Sequence, residues 1–206
     1  MNALIVIDGP DACGKTTLAN EIIKTVESRG CRGYYTHLTY IKDNREMWMA
    51  QYKALFEASV KLDQPRNVVV IDRHWMSENV YSAIYRGGTK LRDAARIWDQ
   101  IIQRMCGIYV ICSPEPESAF DRHAKMKRFR EELYESDDRI RKIAHAFRNL
   151  YYGGLGEDDD YVGQLTNQGG MGNRGDTLLY DIDFMNMTDV VDEIIMRSLT
   201  KNRRCA

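Results

Sequence analysis

Apolar and polar positions alternate in blocks along the chain, and each block predicts an element. Ala3–Asp8, read as ALIVID, is a short β-branched run that predicts a buried strand. From Thr16 to about Arg29, Leu18, Ile22, Ile23 and Val26 fall at helical spacing, and Gly30 marks the end. Residues 33–38 predict a second strand. From Arg45 to about Leu62 a helix is predicted with Met47, Trp48, Tyr52, Leu55 and Phe56 on its apolar side, and Pro65 stops it. Asn67–Ile71 carries three valines and an isoleucine, the strongest strand signal in the chain, and Asp72 follows it directly. Helices are predicted at about 76–86 and 90–104, and a strand at 107–112 that Ser113-Pro114 cuts. From Glu115 to about Tyr152 the pattern is mostly helical with a very basic middle. Residues 153–176 are rich in Gly, Asp and Asn and predict a surface loop. A last strand at 177–182 and an amphipathic helix at 188–199 complete the pattern.

Strands alternating with helices predict an α/β fold, a parallel sheet with helices on both faces. The length of 206 residues suits one domain, residues 1–206. Ligand sites in such sheets lie at the carboxyl ends of strands. Asp8-Gly9, Asp72-Arg73 and Ser113 each follow a strand, so three segments are expected at one edge of the sheet.

The first of these segments carries recognisable chemistry. Gly9-Pro10-Asp11-Ala12-Cys13-Gly14-Lys15-Thr16 has the spacing G-x-x-x-x-G-K-[ST], and it lies between a strand and a helix, where that motif has to sit. Gly9 and Gly14 permit a close backbone approach, and successive N–H groups with the helix N-terminus make a nest for phosphates. The expected ATP-binding residues are Gly9, Ala12, Cys13, Gly14, Lys15, Thr16 and Thr17, with Arg122. Lys15 is expected to pair with the β- and γ-phosphates, and Thr16 and Asp72 to hold Mg²⁺. Arg73, a planar donor beside them, suits a phosphate clamp.

Composition narrows the classes. Hydrophobic residues make up 44% and charged residues 29%, enough for a core. The net charge of −1 argues against a strongly basic nucleic-acid binder. No apolar run is long enough to span a membrane, and no signal peptide is seen. Five cysteines, scattered and without C-x-x-C spacing, suggest neither a metal nor a disulfide framework. A cytoplasmic protein is the simple reading. Against this neutral background residues 122–130, RHAKMKRFR, place six basic residues in nine positions. The phosphate loop has no basic residue before Lys15, and phosphoryl transfer needs cations over the moving group. A basic lid at about 122–131, with Arg128 among its catalytic cations, is the expectation.

The segment Asp72-Arg73-His74-Trp75-Met76-Ser77-Glu78-Asn79-Val80-Tyr81-Ser82, read with GPDACGKTT, resembles the thymidylate kinase-like family of P-loop nucleoside and nucleotide kinases, as a divergent, viral-type member. The resemblance covers about 1–152 and 177–200. It implies a three-layer P-loop kinase fold with a five-stranded parallel sheet, a homodimer, and a role in nucleotide biosynthesis with ATP and Mg²⁺. It implies that Arg73 holds the acceptor's 5′-phosphate and that Asp11 reaches the sugar hydroxyl or the metal shell. Tyr81 would pack against the sugar, Phe56 would stack on the base, and Ser77 and Glu78 would complete the acceptor site. The residues expected to be catalytic are thus Lys15, Arg73, Asp11, Asp72 and Arg128.

Departures bear on the acceptor. Val60 stands where the family often has an Arg that reads the base, Glu78 where a small polar residue is frequent, and 153–176 looks like an insertion. A pyrimidine deoxynucleoside monophosphate such as dTMP, or a 5-hydroxymethyl derivative that Glu78 could hydrogen-bond, is the first reading. A hydroxyl of a nucleoside, or of a hydroxymethylated base in DNA, is the second. A nucleotide-binding switch or ATPase acting on a protein partner is the third.

Overall fold

The computed structural model describes residues 1–39, 41, 43–86, 92–127, 137–152, 171–173 and 175–205. Five strands form one parallel sheet: β1 (Ala3–Asp8), β2 (Arg32–His37), β3 (Asn67–Asp72), β4 (Ile108–Cys112) and β5 (Thr177–Tyr180), in the order β2-β3-β1-β4-β5. Among the described residues seven α-helices flank it: α1 (Lys15–Ser28), α2 (Asn44–Leu62), α3 (Trp75–Arg86), α4 (Arg92–Arg104), α5 (Pro116–Lys127), α6 (Asp137–Tyr152) and α7 (Met187–Cys205). The α/β class, the parallel sheet and all five strands match the sequence reading to within about two residues at each end.

The sheet is covered on both faces. Every residue of β1, β3 and β4 is buried, as expected of central parallel strands. Alternation then sorts side chains into two cores. Ile5, Ile7, Val68, Val70, Ile108 and Val110 pack under α1 and α7. Leu4, Val6, Val69, Ile71, Tyr109 and Ile111 pack under α2, α3, α4 and α6. β2 and β5 are the edges, and no residue of β2 is fully buried.

Two expectations need correction. In α2 Met47 and Leu55 face inward as predicted, but Trp48, Tyr52 and Phe56 do not. Met47, Gln51, Ala54, Leu55 and Ala58 make the buried stripe, while Trp48, Tyr52, Phe56 and Val60, at i+4 steps, form the neighbouring ridge that faces outward. Small alanines let the helix lie close to the sheet, and a count of apolar residues does not reveal that. Helix α7 runs past residue 199 to Cys205, because polar residues hold its last turns. Lys201 Nζ donates to the Gly107 carbonyl at 2.7 Å and to Asp176 at 3.2 Å.

One residue also departs from the expected absence of disulfides: Cys106 is disulfide-bonded. The argument from spacing sees only local pairs, not pairs across the fold. Cys13, Cys31 and Cys112 are free. No helix among the described residues is long and apolar enough to cross a membrane. Most of the 153–176 insertion, and Arg128 with the later part of the lid, lie outside the described residues.

Candidate functional site

The phosphate loop sits where β1 ends. Gly9 has φ 155°. A Cβ on it would lie 2.3 Å from the Cys112 carbonyl oxygen and 2.9 Å from Cys112 Cβ. That obstacle is backbone and cannot swing away, so β1 and β4 meet at a point that only glycine fits. Gly9→Ala is expected to cost about 3 kcal/mol of stability, as overpacked cores do. Urea unfolding of the variant against the parent measures it, and equal midpoints would contradict the close approach.

Helix α1 then starts with its amino end open. Gly14 caps it at φ 81° without any side-chain bond, and no acidic residue lies in the first turn. By contrast, Asp43 closes α2 by accepting from the N–H groups of Arg45 and Glu46, each at 2.9 Å. The free N–H groups and partial positive charge of α1 therefore remain available to an anion. Lys15 is buried, and its Nζ donates to the Pro10 carbonyl and to Cys13 Sγ at 3.5 Å. Burial resists ionisation of Cys13, yet the Cys112 thiol and the Lys15 ammonium outweigh it and hold its pKa at about 7. Burial pushes Cys112 up.

The end of β3 supplies the second group. Asp72 is fully buried, and its Oδ2 accepts from the Thr16 hydroxyl at 3.1 Å and the Tyr35 hydroxyl at 2.8 Å. His37 Nδ1 lies 3.1 Å from the same oxygen. Asp72 Oδ1 is buried without a hydrogen-bond partner among the described residues. Among the described residues no cluster of three or more His, Cys, Asp or Glu could hold a metal alone. One hydroxyl, one carboxylate and a free carboxylate oxygen suit a Mg²⁺ held mainly by phosphates and water. Burial and the Asp72 carboxylate push the Tyr35 phenol up to about 12.

Arg73 comes next, and its backbone is in the left-handed region at φ 71°. Its N–H donates to the Ile7 carbonyl at 2.8 Å, which ties the turn to β1. Its guanidinium pairs with Asp11 on the phosphate loop and lies 5.4 Å over the Tyr81 ring. Burial works against this charge, but Tyr81, Asp11 and Asp72 outweigh it, so the group is held more firmly charged than a free arginine. A small cavity of about 10 Å³, lined by Asp11, Tyr81, Tyr85, His123 and neighbours, lies beside the pair. That is room for about one water molecule.

Asp8, immediately before the loop, was not singled out as a site residue. Its Oδ1 accepts from the N–H groups of His74 at 3.0 Å and Ser77 at 3.1 Å, and from the Ser77 hydroxyl. It caps α3 from the neighbouring strand. Ser77 is thus turned inward to Asp8, and Glu78 is 3% exposed, so neither presents itself to an open acceptor groove. Phe56 is 59% exposed on the outer ridge of α2 and does not line the cavity; Val60, beside it, is 52% exposed. The structure brings Lys15, Thr16, Asp72, Arg73, Asp11 and Tyr81 together, and leaves Phe56 apart. Arg122 pairs with Asp183, which also accepts from Ser118 at 2.8 Å. Asp183 follows Ile182, whose Cδ1 lies 2.7 Å from where a Cβ on Gly14 would be, so the start of the basic run reaches the phosphate-loop side. Ala12 lies within the loop at φ 60°, and Thr17 is exposed beside Thr16.

Two buried groups that meet at the start of α3, the Asp8 carboxylate and the His74 ring, set opposing pH responses. Burial raises Asp8 to about 6 and lowers His74 to about 4. The raised acid binds protons more tightly when folded, so its stabilisation is present below about 3.8 and lost by about 6. The lowered base binds protons more tightly when unfolded, so stability rises with pH from about 4 to 6.5. Each effect is about 3 kcal/mol by linkage, and the two oppose. Thermal unfolding of the parent is expected to change little between pH 4 and 6.5. Asp8→Asn should unmask a rise with pH and His74→Gln a fall, and parallel profiles for all three proteins would contradict the two shifts.

No model of a known protein family matches the chain, and no curated protein matches it. Solved structures match it over nearly its whole length. The crystal structure of YorR from Bacillus subtilis, in complex with phosphorylated GDP, has a TM-score of 0.62 at 18% identity, covering 94% of each chain. The crystal structure of APE1195 has a TM-score of 0.53 at 14% identity, covering 98% of this chain and 96% of that one. The chain shares their fold. At such identity the likeness speaks for the fold and leaves the chemistry to the side chains.

Proposed function

We propose that this protein is an ATP-dependent nucleotide kinase related to the thymidylate kinases, moving the γ-phosphoryl group of ATP to the 5′-phosphate of a pyrimidine deoxynucleoside monophosphate. The observation that carries the reading is the Arg73–Asp11 pair. It sets a half-buried, permanently charged guanidinium at the end of β3 against the loop that would receive the donor's phosphates. A simple ATPase or switch has no need of this second phosphate station. YorR, which shares the fold, was crystallised in complex with phosphorylated GDP, which supports a nucleotide as the ligand here.

In this reading the N–H groups at the start of α1 and Lys15 hold the β- and γ-phosphates. Thr16 and Asp72 would help to hold Mg²⁺, which would neutralise charge on the phosphate oxygens. Arg73 releases Asp11 to take the acceptor phosphate, and Asp11 turns to the acceptor sugar. The acceptor oxygen is already anionic, so no general base is required. Catalysis is alignment and charge neutralisation, with Arg122 and Arg128 as lid cations. With Glu78 buried, the case for a hydroxymethyl reader at that position weakens, and the unmodified pyrimidine nucleotide is the better acceptor. The test is ATP consumption with a panel of ribo- and deoxynucleoside monophosphates, nucleosides and hydroxymethylated DNA. Diphosphate formed from one pyrimidine dNMP supports the reading. Turnover without any acceptor, or only with DNA or nucleosides, overturns it.

A further inference from the structure

Asp72 is held by more than the phosphate loop. β2 lies beside β3 with Tyr35 opposite Val70 and His37 opposite Asp72. Both side chains reach across the strand pair to one carboxylate oxygen, Oδ2, at 2.8 Å from the Tyr35 hydroxyl and 3.1 Å from His37 Nδ1. Thr16 donates to the same oxygen at 3.1 Å. Two hydroxyl donors and a ring nitrogen crowd Oδ2, while the buried Oδ1 has no hydrogen-bond partner among the described residues. A carboxylate so loaded cannot rotate without breaking all three contacts, so the free oxygen points in one fixed direction. The main chain is tied down as well, since the Leu38 N–H donates to the Asp72 carbonyl at 2.9 Å. Groups of this kind orient metal ligands and tune their basicity.

We infer that Tyr35 and His37, on the edge strand, are positioning residues that fix the Asp72 carboxylate and present its Oδ1 to the divalent cation of the nucleotide. The inference rests on the donor-site reading above. Neither residue touches the reacting atoms. Tyr35 matters most, because its hydroxyl makes the shortest contact to Asp72 Oδ2, at 2.8 Å. His37 is partly exposed and supports it from the strand end.

The experiment separates metal binding from folding and from turnover. ATP affinity is measured by calorimetry across a Mg²⁺ titration and again in EDTA, and Mn²⁺ binding in the presence of ATP is followed by electron paramagnetic resonance. Tyr35→Phe is expected to raise the half-saturating Mg²⁺ and Mn²⁺ concentrations roughly 10-fold, as loss of such support does. Its ATP affinity in EDTA should match the parent. His37→Leu should show a smaller shift in the same direction, and His37→Gln, which keeps a donor, should restore the parent value. If Tyr35→Phe lowers ATP affinity equally with and without metal, or leaves the metal titration unchanged while Asp72→Asn shifts it, the positioning role is wrong and the metal site stands. If neither Asp72→Asn nor Thr16→Ala shifts the titration, the donor-site reading itself is wrong.

Discussion

Lys15→Ala is expected to lose transfer activity by roughly 10³-fold or more while the protein stays folded, since this cation faces the charge that develops on the moving phosphoryl group. Two features make the loss large. The α1 end has no acidic residue and no side-chain cap, so within the loop the donor's phosphates would meet backbone N–H groups and this one ammonium. And the preceding loop positions, Pro10 to Cys13, bring no other cation. Lys15 Nζ rests on the Pro10 carbonyl and Cys13 Sγ inside the loop. When phosphate arrives, the ammonium exchanges those acceptors for anionic oxygens, a gain in charge-assisted bonding. Truncation also takes away the cation that lowers the pKa values of buried Asp8 and Cys13. The expected stability loss is therefore about 1–2 kcal/mol, far smaller than the loss of activity. Single-turnover kinetics with radiolabelled ATP, set beside thermal unfolding, decides the matter. Activity within tenfold of the parent would show that the loop does not act on the transferred group.

The sequence was legible where local chemistry dictates structure. The valine-rich β3 and the ALIVID run of β1 could only be buried strands, and the glycine-lysine spacing could only work between a strand and a helix. Asp72 and Arg73 were legible as strand-end residues for the same reason. What escaped was set by distance in the fold. Asp8 looked like the tail of a strand, and its part in capping α3 depends on Ser77, which lies 69 residues away. Tyr35 and His37 sit in a half-exposed edge strand whose pattern says nothing about Asp72 until β2 and β3 are laid side by side. The aromatic ridge of α2 misled in the other direction. Trp48, Tyr52 and Phe56 repeat at helical spacing, which suggests a core face, yet Ala54 and Ala58 take the core and leave Phe56 outward. Size does not decide which side of a helix is buried when close packing favours small residues.

Arg73→Ala is expected to abolish phosphate capture by the acceptor site, with kcat/KM for the acceptor down by roughly 10³-fold or more. Arg73→Lys should recover little of it, because a point charge does not replace a planar fork aimed at two oxygens. The backbone adds a second, independent signature. Arg73 sits at φ 71°, a conformation that costs a side-chain-bearing residue about 1 kcal/mol and glycine almost nothing. The strained turn is what throws the guanidinium from the end of β3 onto Asp11 and across the face of Tyr81. Arg73→Gly should therefore be as inactive as Arg73→Ala but more stable than it by about 1 kcal/mol. In the proposed reaction the strained turn holds Arg73 against Asp11, a contact that acceptor binding would release. Urea unfolding compares the two variants, and acceptor kinetics measures all three. An alanine variant that is as stable as the glycine variant would show that the turn is not strained. One that keeps near-parent acceptor kinetics would show that Arg73 pairs with Asp11 for structure alone.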